Sequence, residues 1–432
     1  MKNTLTLVTP LLLSACGGTL SEEPTPTPPV NYQFKVATQS MNLCGEISPL
    51  SNYEVIAYAD DGSMISRHTP NNAGQVEADF TQSHLNFAIV RDSGDNKSDK
   101  QDLNITLLAQ YPVGDLGTLT VRSDDTENCE CQTTTVAIQP GGLTTQKLNL
   151  PYTNTSSSSY ISQFHNTQLC EIDEGKEALL AANHLESGNI YYQTMTNPSQ
   201  QIVDNNISID INTTGQLGRE ITVNTSENAV HYIEYVTDDL YNYSVPDNND
   251  ATIHILDNDR VEKIEFHAVM QQDRIGFSTP VRFWGVYVPL TDDTVEISYS
   301  QPEFEADLLT GLLEDPSVAY DLDGDKQRVL SGFMEFSLPD GSSDEWIYIL
   351  PSQSDVGINF ELPADYLEGL AKGIQYQDLS TNTAWKLTEI AEINSLDQFY
   401  QSDWLKVLLP ETSHVKVRPP ATYSYVALDS KY

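Results

Sequence analysis

The chain has 432 residues, 39% of them hydrophobic, which is enough to bury substantial cores in two or three domains. Its 22 basic residues against 62 acidic ones give a formal charge of −40, a field that repels nucleic acid phosphates and anionic lipid headgroups and excludes nucleic acid as a partner. With only 19% charged residues and abundant Asn, Thr, Ser and Tyr, the composition is that of a folded, β-rich exported protein rather than a disordered acidic tail.

The first element is an apolar stretch, Leu5 to Ala15, behind Met1-Lys2. As a helix it would measure roughly 16 Å, against about 30 Å of hydrocarbon, so it reads as a secretory signal and not a membrane span. It closes on Leu13-Ser14-Ala15-Cys16. This motif resembles the lipobox of bacterial lipoproteins, which implies removal of residues 1–15 and acylation of Cys16. Gly17 in the position after the cysteine, where that family carries Asp for inner-membrane retention, implies the outer membrane, on its periplasmic face or at the cell surface. The membrane is then reached through lipid, each buried methylene contributing on the order of 0.8 kcal/mol. No later segment has 18 uninterrupted apolar residues, so no transmembrane helix is expected.

Residues 16–30 form the anchor and its tether: Pro24-Thr25-Pro26-Thr27-Pro28-Pro29 favours an extended polyproline stalk. From 31 to about 152 the pattern is one of short strands between turns. Examples are Tyr53–Tyr58, Leu85–Val90 and Thr133–Ile138, with tight turns at Asp60-Asp61-Gly62-Ser63 and Asn71-Asn72-Ala73-Gly74. The strand and turn order over residues 53–80 resembles prealbumin-like or immunoglobulin-like modules, which implies a β-sandwich for this unit.

The Ser-rich run 155–159 marks a soft boundary to a second β-rich unit, 153–300. A short helix is expected around Gly175–His184, followed by alternating strands at Ile207–Ile211, Val230–Val236, Thr252–Leu256 and Arg282–Val288, each with one packed and one wet face. The last unit, 301–432, mixes helical spacing at Glu303–Leu313 and Pro363–Gly373 with strands at Trp346–Leu350 and Tyr423–Leu428. The expected class is mainly β: an N-terminal sandwich followed by further β-rich units with a few short helices.

Of the five cysteines, lipid would claim Cys16 and leave Cys44, Cys129, Cys131 and Cys170. Side chains two apart on one strand sit roughly 7 Å apart, which disfavours a Cys129–Cys131 bond. One of that pair is then expected to bridge Cys44 and the other Cys170. The alternative is a zinc or copper site in which Cys129, Cys131 and Cys170 join His165.

For chemistry, Asp321-Leu322-Asp323-Gly324-Asp325 looks like the opening of a Ca2+ loop, with Asp321, Asp323 and Asp325 as ligands. It departs from the EF-hand at Lys326 and Gly332. No other cofactor is indicated. His254 and His267 are placed to face each other across a hairpin, and Trp284, Tyr287 and Trp346 are candidate platforms for sugar rings. The chain lacks the G-x-S-x-G, H-E-x-x-H, G-K-[ST] and G-x-G-x-x-G signatures. The reading is therefore a non-enzymatic, lipid-anchored envelope protein that binds a glycan or a partner protein. The alternative is an envelope hydrolase working through an acid and base pair of carboxylates.

Overall fold

A computed structural model describes residues 30–92, 103–122, 128–145, 161–171 and 189–213 with their neighbouring short strands, then the strands between 219 and 297. Beyond these it describes residues 319–321, 328–337, 343–351, 353–354, 380–390, 393–402, 405 and 423–429. The signal, Cys16 and the stalk lie outside the described residues, as do Glu303–Leu313 and Pro363–Gly373.

The first strands are β1 (Tyr32–Met41), β2 (Ile47–Pro49), β3 (Tyr53–Tyr58) and β4 (Met64–His68). They are followed by β5 (Gln75–Phe80), β6 (His84–Asp92), β7 (Leu103–Pro112) and β8 (Asp115–Arg122). One sheet gathers β5 and β2 antiparallel on β1, with β8 parallel to β1; the other runs β7-β6-β3-β4. Between them Phe34 and Phe87 stack at 4.3 Å, ringed by Val36, Val55, Phe80, Leu108 and Tyr111. This is a two-sheet sandwich, and each large apolar side chain buried in it contributes about 1.5–3 kcal/mol.

The expected turns are present. Ala59 N–H donates to Ser63 O, with Gly62 at φ 81°, while Asn71 N–H donates to Gln75 O. The Asp61 carboxylate accepts from the Ser63 hydroxyl at 2.6 Å and from Ser63 N–H at 3.0 Å, and these bonds hold its pKa below the usual carboxylate value. Gly74, at φ 71°, lies so close to β1 that a β-carbon would collide with the Thr38 carbonyl oxygen. That contact lets Thr38 N–H donate to Gly74 O at 2.7 Å.

The second group comprises β9 (Cys131–Gln139), β10 (Leu143–Thr144), β11 (Thr153–Asn154) and β12 (Gln163–Cys170). It continues with β13 (Glu177–His184), β14 (Ile190–Thr196) and β15 (Asn206–Asp210). The sheets β11-β12-β9-β15 and β10-β13-β14 enclose Val136, Ile138, Phe164, Leu169, Leu180 and Ile207. Two expectations change here. Of the segment expected as a helix, Glu177–His184 is a strand, because the ladder Glu177↔Thr196 to Asn183↔Ile190 overrides its Ala and Leu content. Thr133–Ile138, expected with the first sandwich, pairs instead with β12 and β15.

Further on run β16 (Arg219–Thr225), β17 (Val230–Thr237), β18 (Tyr241–Ser244), β19 (Thr252–Ile255) and β20 (Val261–Gln271). Then come β21 (Val281–Pro289), β22 (Thr294–Ile297), β23 (Tyr320–Asp321), β24 (Val329–Ser337) and β25 (Ser343–Pro351). The chain ends with β26 (Gln353–Ser354), β27 (Ser380–Ile390), helix α1 (Leu396–Gln401) and β28 (Tyr423–Asp429).

Strand β25 lies parallel to β7, Trp346 opposite Ile105 and Ile349 opposite Leu108, so the sandwich sheet continues through β24, β27, β28 and β21 into one sheet of twelve strands. Helix α1 adds Phe399 and Tyr400 to the first core, and Leu405 follows. Both faces of the central strands are buried, Phe87 and Ile89 on one and Ala88 and Val90 on the other, which accounts for the unbroken apolar run of β6.

Candidate functional site

Four cysteines converge where the first sandwich meets the second group of strands. The chain leaves β8 at Arg122 and enters β9 at Cys131, and each end of the Cys129-Glu130-Cys131 tripeptide is fastened to a different element. Cys129 is bonded to Cys44, in the turn between β1 and β2, with 5.7 Å between their Cα atoms. Cys131 is bonded to Cys170, its registered cross-strand partner on β12, at a Cα separation of 3.9 Å. The bridges take one cysteine each from the Cys129-x-Cys131 pair, so the thiolates required by a zinc or copper set with His165 do not exist. Among the described residues no three metal-ligating side chains cluster. His165 is exposed, its Nδ1 3.5 Å from the Thr135 hydroxyl.

The aromatic residues distribute differently from expectation. Trp346, taken as a sugar platform, is 7% exposed and stands beside Tyr348 at 6.1 Å, with Trp385 next to Tyr348 at 5.5 Å. Its ring is part of a packed sheet face and presents no open surface to a pyranose, which corrects its assignment. Burial alone drives the Tyr348 hydroxyl pKa far upward. Trp284 and Tyr287 lie on β21, whose backbone pairs with β20 and β28; their side chains lie outside the described residues. His254 and His267 do not share a hairpin, because β19 pairs with β16 while β20 pairs with β17 and β21. Of the proposed Ca2+ ligands, Asp321 is an exposed residue of β23, and Asp323 and Asp325 lie outside the described residues.

Sequence reading missed a shallow cleft at the mouth of the first core. Val329, Thr388, Ile390, Ile393, Ser395 and Leu396 line it together with Arg328, around a cavity of about 10 Å3 that opens to solvent. Thr388 and Glu389 are neighbours on β27 and so face opposite sides, and Arg328 Nε lies 3.6 Å from Glu389 Oε2. The cavity volume is room for about one water molecule, far below the roughly 300–1,000 Å3 of sites that enclose a drug-sized ligand. Its walls come from positions 328 to 396, with no spacing a sequence could reveal; the one available signal was a cation, Arg328, entering the apolar run of β24.

No protein-family model matches the chain, and no curated protein matches it. Among solved structures, the Bacillus anthracis TIE protein superposes with a TM-score of 0.15 at 5% identity, over 62% of this chain and 51% of that one. The chain thus spans about half the length of that structure. Two B repeat units of the collagen-binding protein of Staphylococcus aureus superpose with a TM-score of 0.15 at 9% identity, over 85% of this chain and 98% of that one. At such scores neither likeness carries an argument, and the β architecture stands on the chain's own sheets.

Proposed function

We propose that this protein is a lipid-anchored component of the cell envelope whose β-rich body serves a non-enzymatic binding or structural role toward a glycan or protein of that envelope. The observation that carries the reading is the cysteine inventory. Five cysteines are present, four are consumed by two bridges, and the one remaining is Cys16 of the lipobox-like motif. Bridges of this kind persist in oxidising compartments outside the cytoplasm, and acylation accounts for the fifth sulfur. The tether of residues 16–30 would stand the body away from the bilayer, and an acidic surface keeps it soluble there.

Metabolic labelling with an alkynyl palmitate, followed by membrane fractionation and pull-down from detergent-solubilised envelopes, tests this reading. Label on the wild type, none on Cys16→Ser, and a stoichiometric envelope partner or glycan in the eluate are expected. An unlabelled wild type removes the anchor, and an eluate empty of stoichiometric partners removes the binding role.

A further inference from the structure

We infer that the Cys44–Cys129 disulfide is a removable lock on the joint between the first sandwich and the β9–β15 body, and that a dithiol from solvent opens it before it opens Cys131–Cys170. The two bodies have separate hydrophobic cores, one built on Phe34 and Phe87 and the other on Val136 and Phe164. Among the described residues no strand of β1–β8 pairs with a strand of β9–β15, so Cys44–Cys129 is a covalent tie added to the chain connection itself.

The two bonds differ in what guards them. Cys44 and Cys129 are half-buried and lie in irregular segments, held by turn hydrogen bonds such as Gly45 N–H to Asn42 O and Cys129 N–H to Thr126 O. Cys131 and Cys170 face each other within the β9–β12 ladder, with Glu171 N–H donating to Glu130 O just beyond; Cys131 is half-buried as well, but Cys170 is 0% exposed. A bond with one sulfur sealed within a ladder opens through a rarer local unfolding than one held only by turn hydrogen bonds.

The chemistry balances with a dithiol as the named reductant. One dithiol thiolate attacks a sulfur of the Cys44–Cys129 bond, which breaks as a mixed disulfide forms. The second dithiol sulfur then displaces the protein sulfur. Two electrons pass to the cystine, the dithiol protons end on Cys44 and Cys129, and the reductant leaves as a cyclic disulfide. The covalent link across the joint is then the peptide chain alone.

Graded dithiothreitol on the folded full-length chain, quenched by alkylation and read by peptide mass spectrometry, tests the order of opening. Cys44 and Cys129 are expected to be alkylated at reductant levels that leave Cys131–Cys170 intact. At that stage a glutamate-specific protease should begin to cut after Glu127 or Glu130. Alkylation of Cys131 and Cys170 at or before the same level overturns the order, and an unchanged cleavage pattern overturns the lock. The Cys44→Ser/Cys129→Ser variant should show the same cuts without reductant, and resistance equal to wild type would also overturn the lock. If that variant fails to fold, the wild-type titration decides.

Discussion

The hydroxyl of Tyr400 lies 2.5 Å from the carbonyl oxygen of Ala109 and 3.2 Å from that of Ile349, joining helix α1 to the two parallel strands β7 and β25. The partners stand 291 and 51 residues away in sequence. The C-terminal part of the chain is therefore built into the core of the N-terminal sandwich.

Removing that hydroxyl in Tyr400→Phe leaves a buried carbonyl without its donor. A loss of about 1–3 kcal/mol is expected in urea unfolding, with the signals of the first sandwich and of the C-terminal strands moving together. Separate transitions for the two would contradict a shared core.

Gly332 and Trp385 are cross-strand partners on β24 and β27, and a β-carbon at Gly332 would fall into the Trp385 six-membered ring. Trp385 is 0% exposed. Gly332→Ala should cost on the order of 1–3 kcal/mol by overpacking, read as a lowered thermal midpoint and a change in tryptophan fluorescence. Trp385→Leu in the same background should recover part of the loss.

Glu54, 8% exposed on β3, receives Arg67 of β4 in a two-pronged ion pair, Nε to Oε1 at 2.7 Å and Nη2 to Oε2 at 2.6 Å. Arg67→Met leaves the carboxylate without its guanidinium and should destabilise by about 2 kcal/mol. The double variant Glu54→Gln/Arg67→Met should be more stable than that single variant, as a thermal melt would show.

The His68 pKa is lowered by burial, opposed in part by the nearby Glu54 carboxylate. Its ring meets the Ser66 hydroxyl at 2.8 Å and the edge of Phe80 at 6.0 Å between centroids. A folded-state pKa below the unfolded value means that the unfolded chain takes the proton first. This contribution to stability is thus full above about pH 6.5 and is lost as pH falls through the lower folded value. The urea midpoint of the wild type should fall more between pH 7.5 and pH 5 than that of His68→Gln; equal drops would contradict the assignment.

Much of the strand pattern was legible because local signals and tertiary pairing agreed. Tyr53–Tyr58 is a strand at the residues expected, followed by the Asp61 turn, and Leu85–Val90 lies within β6. The reading failed where pairing overruled propensity, as in Glu177–His184, a string of helix formers drawn into a sheet by β14. It failed again where a face was covered by something distant in sequence. Alternation placed Trp346 and Tyr348 on one side of β25, but nothing local shows that this side is buried. The Tyr400 contacts and the cleft at Thr388 were illegible for the same reason, their partners being brought together only by the fold. The cysteines were legible because parity and strand geometry constrain them without reference to the rest of the chain.

The most direct measurement is the mass of the protein isolated from its native cells, intact and after peptide mapping without reduction. The account predicts a chain beginning at an acylated Cys16, with Cys44 linked to Cys129 and Cys131 to Cys170. A chain that retains residues 1–15 with an unmodified Cys16, or that carries free thiols at the other four positions, would contradict it.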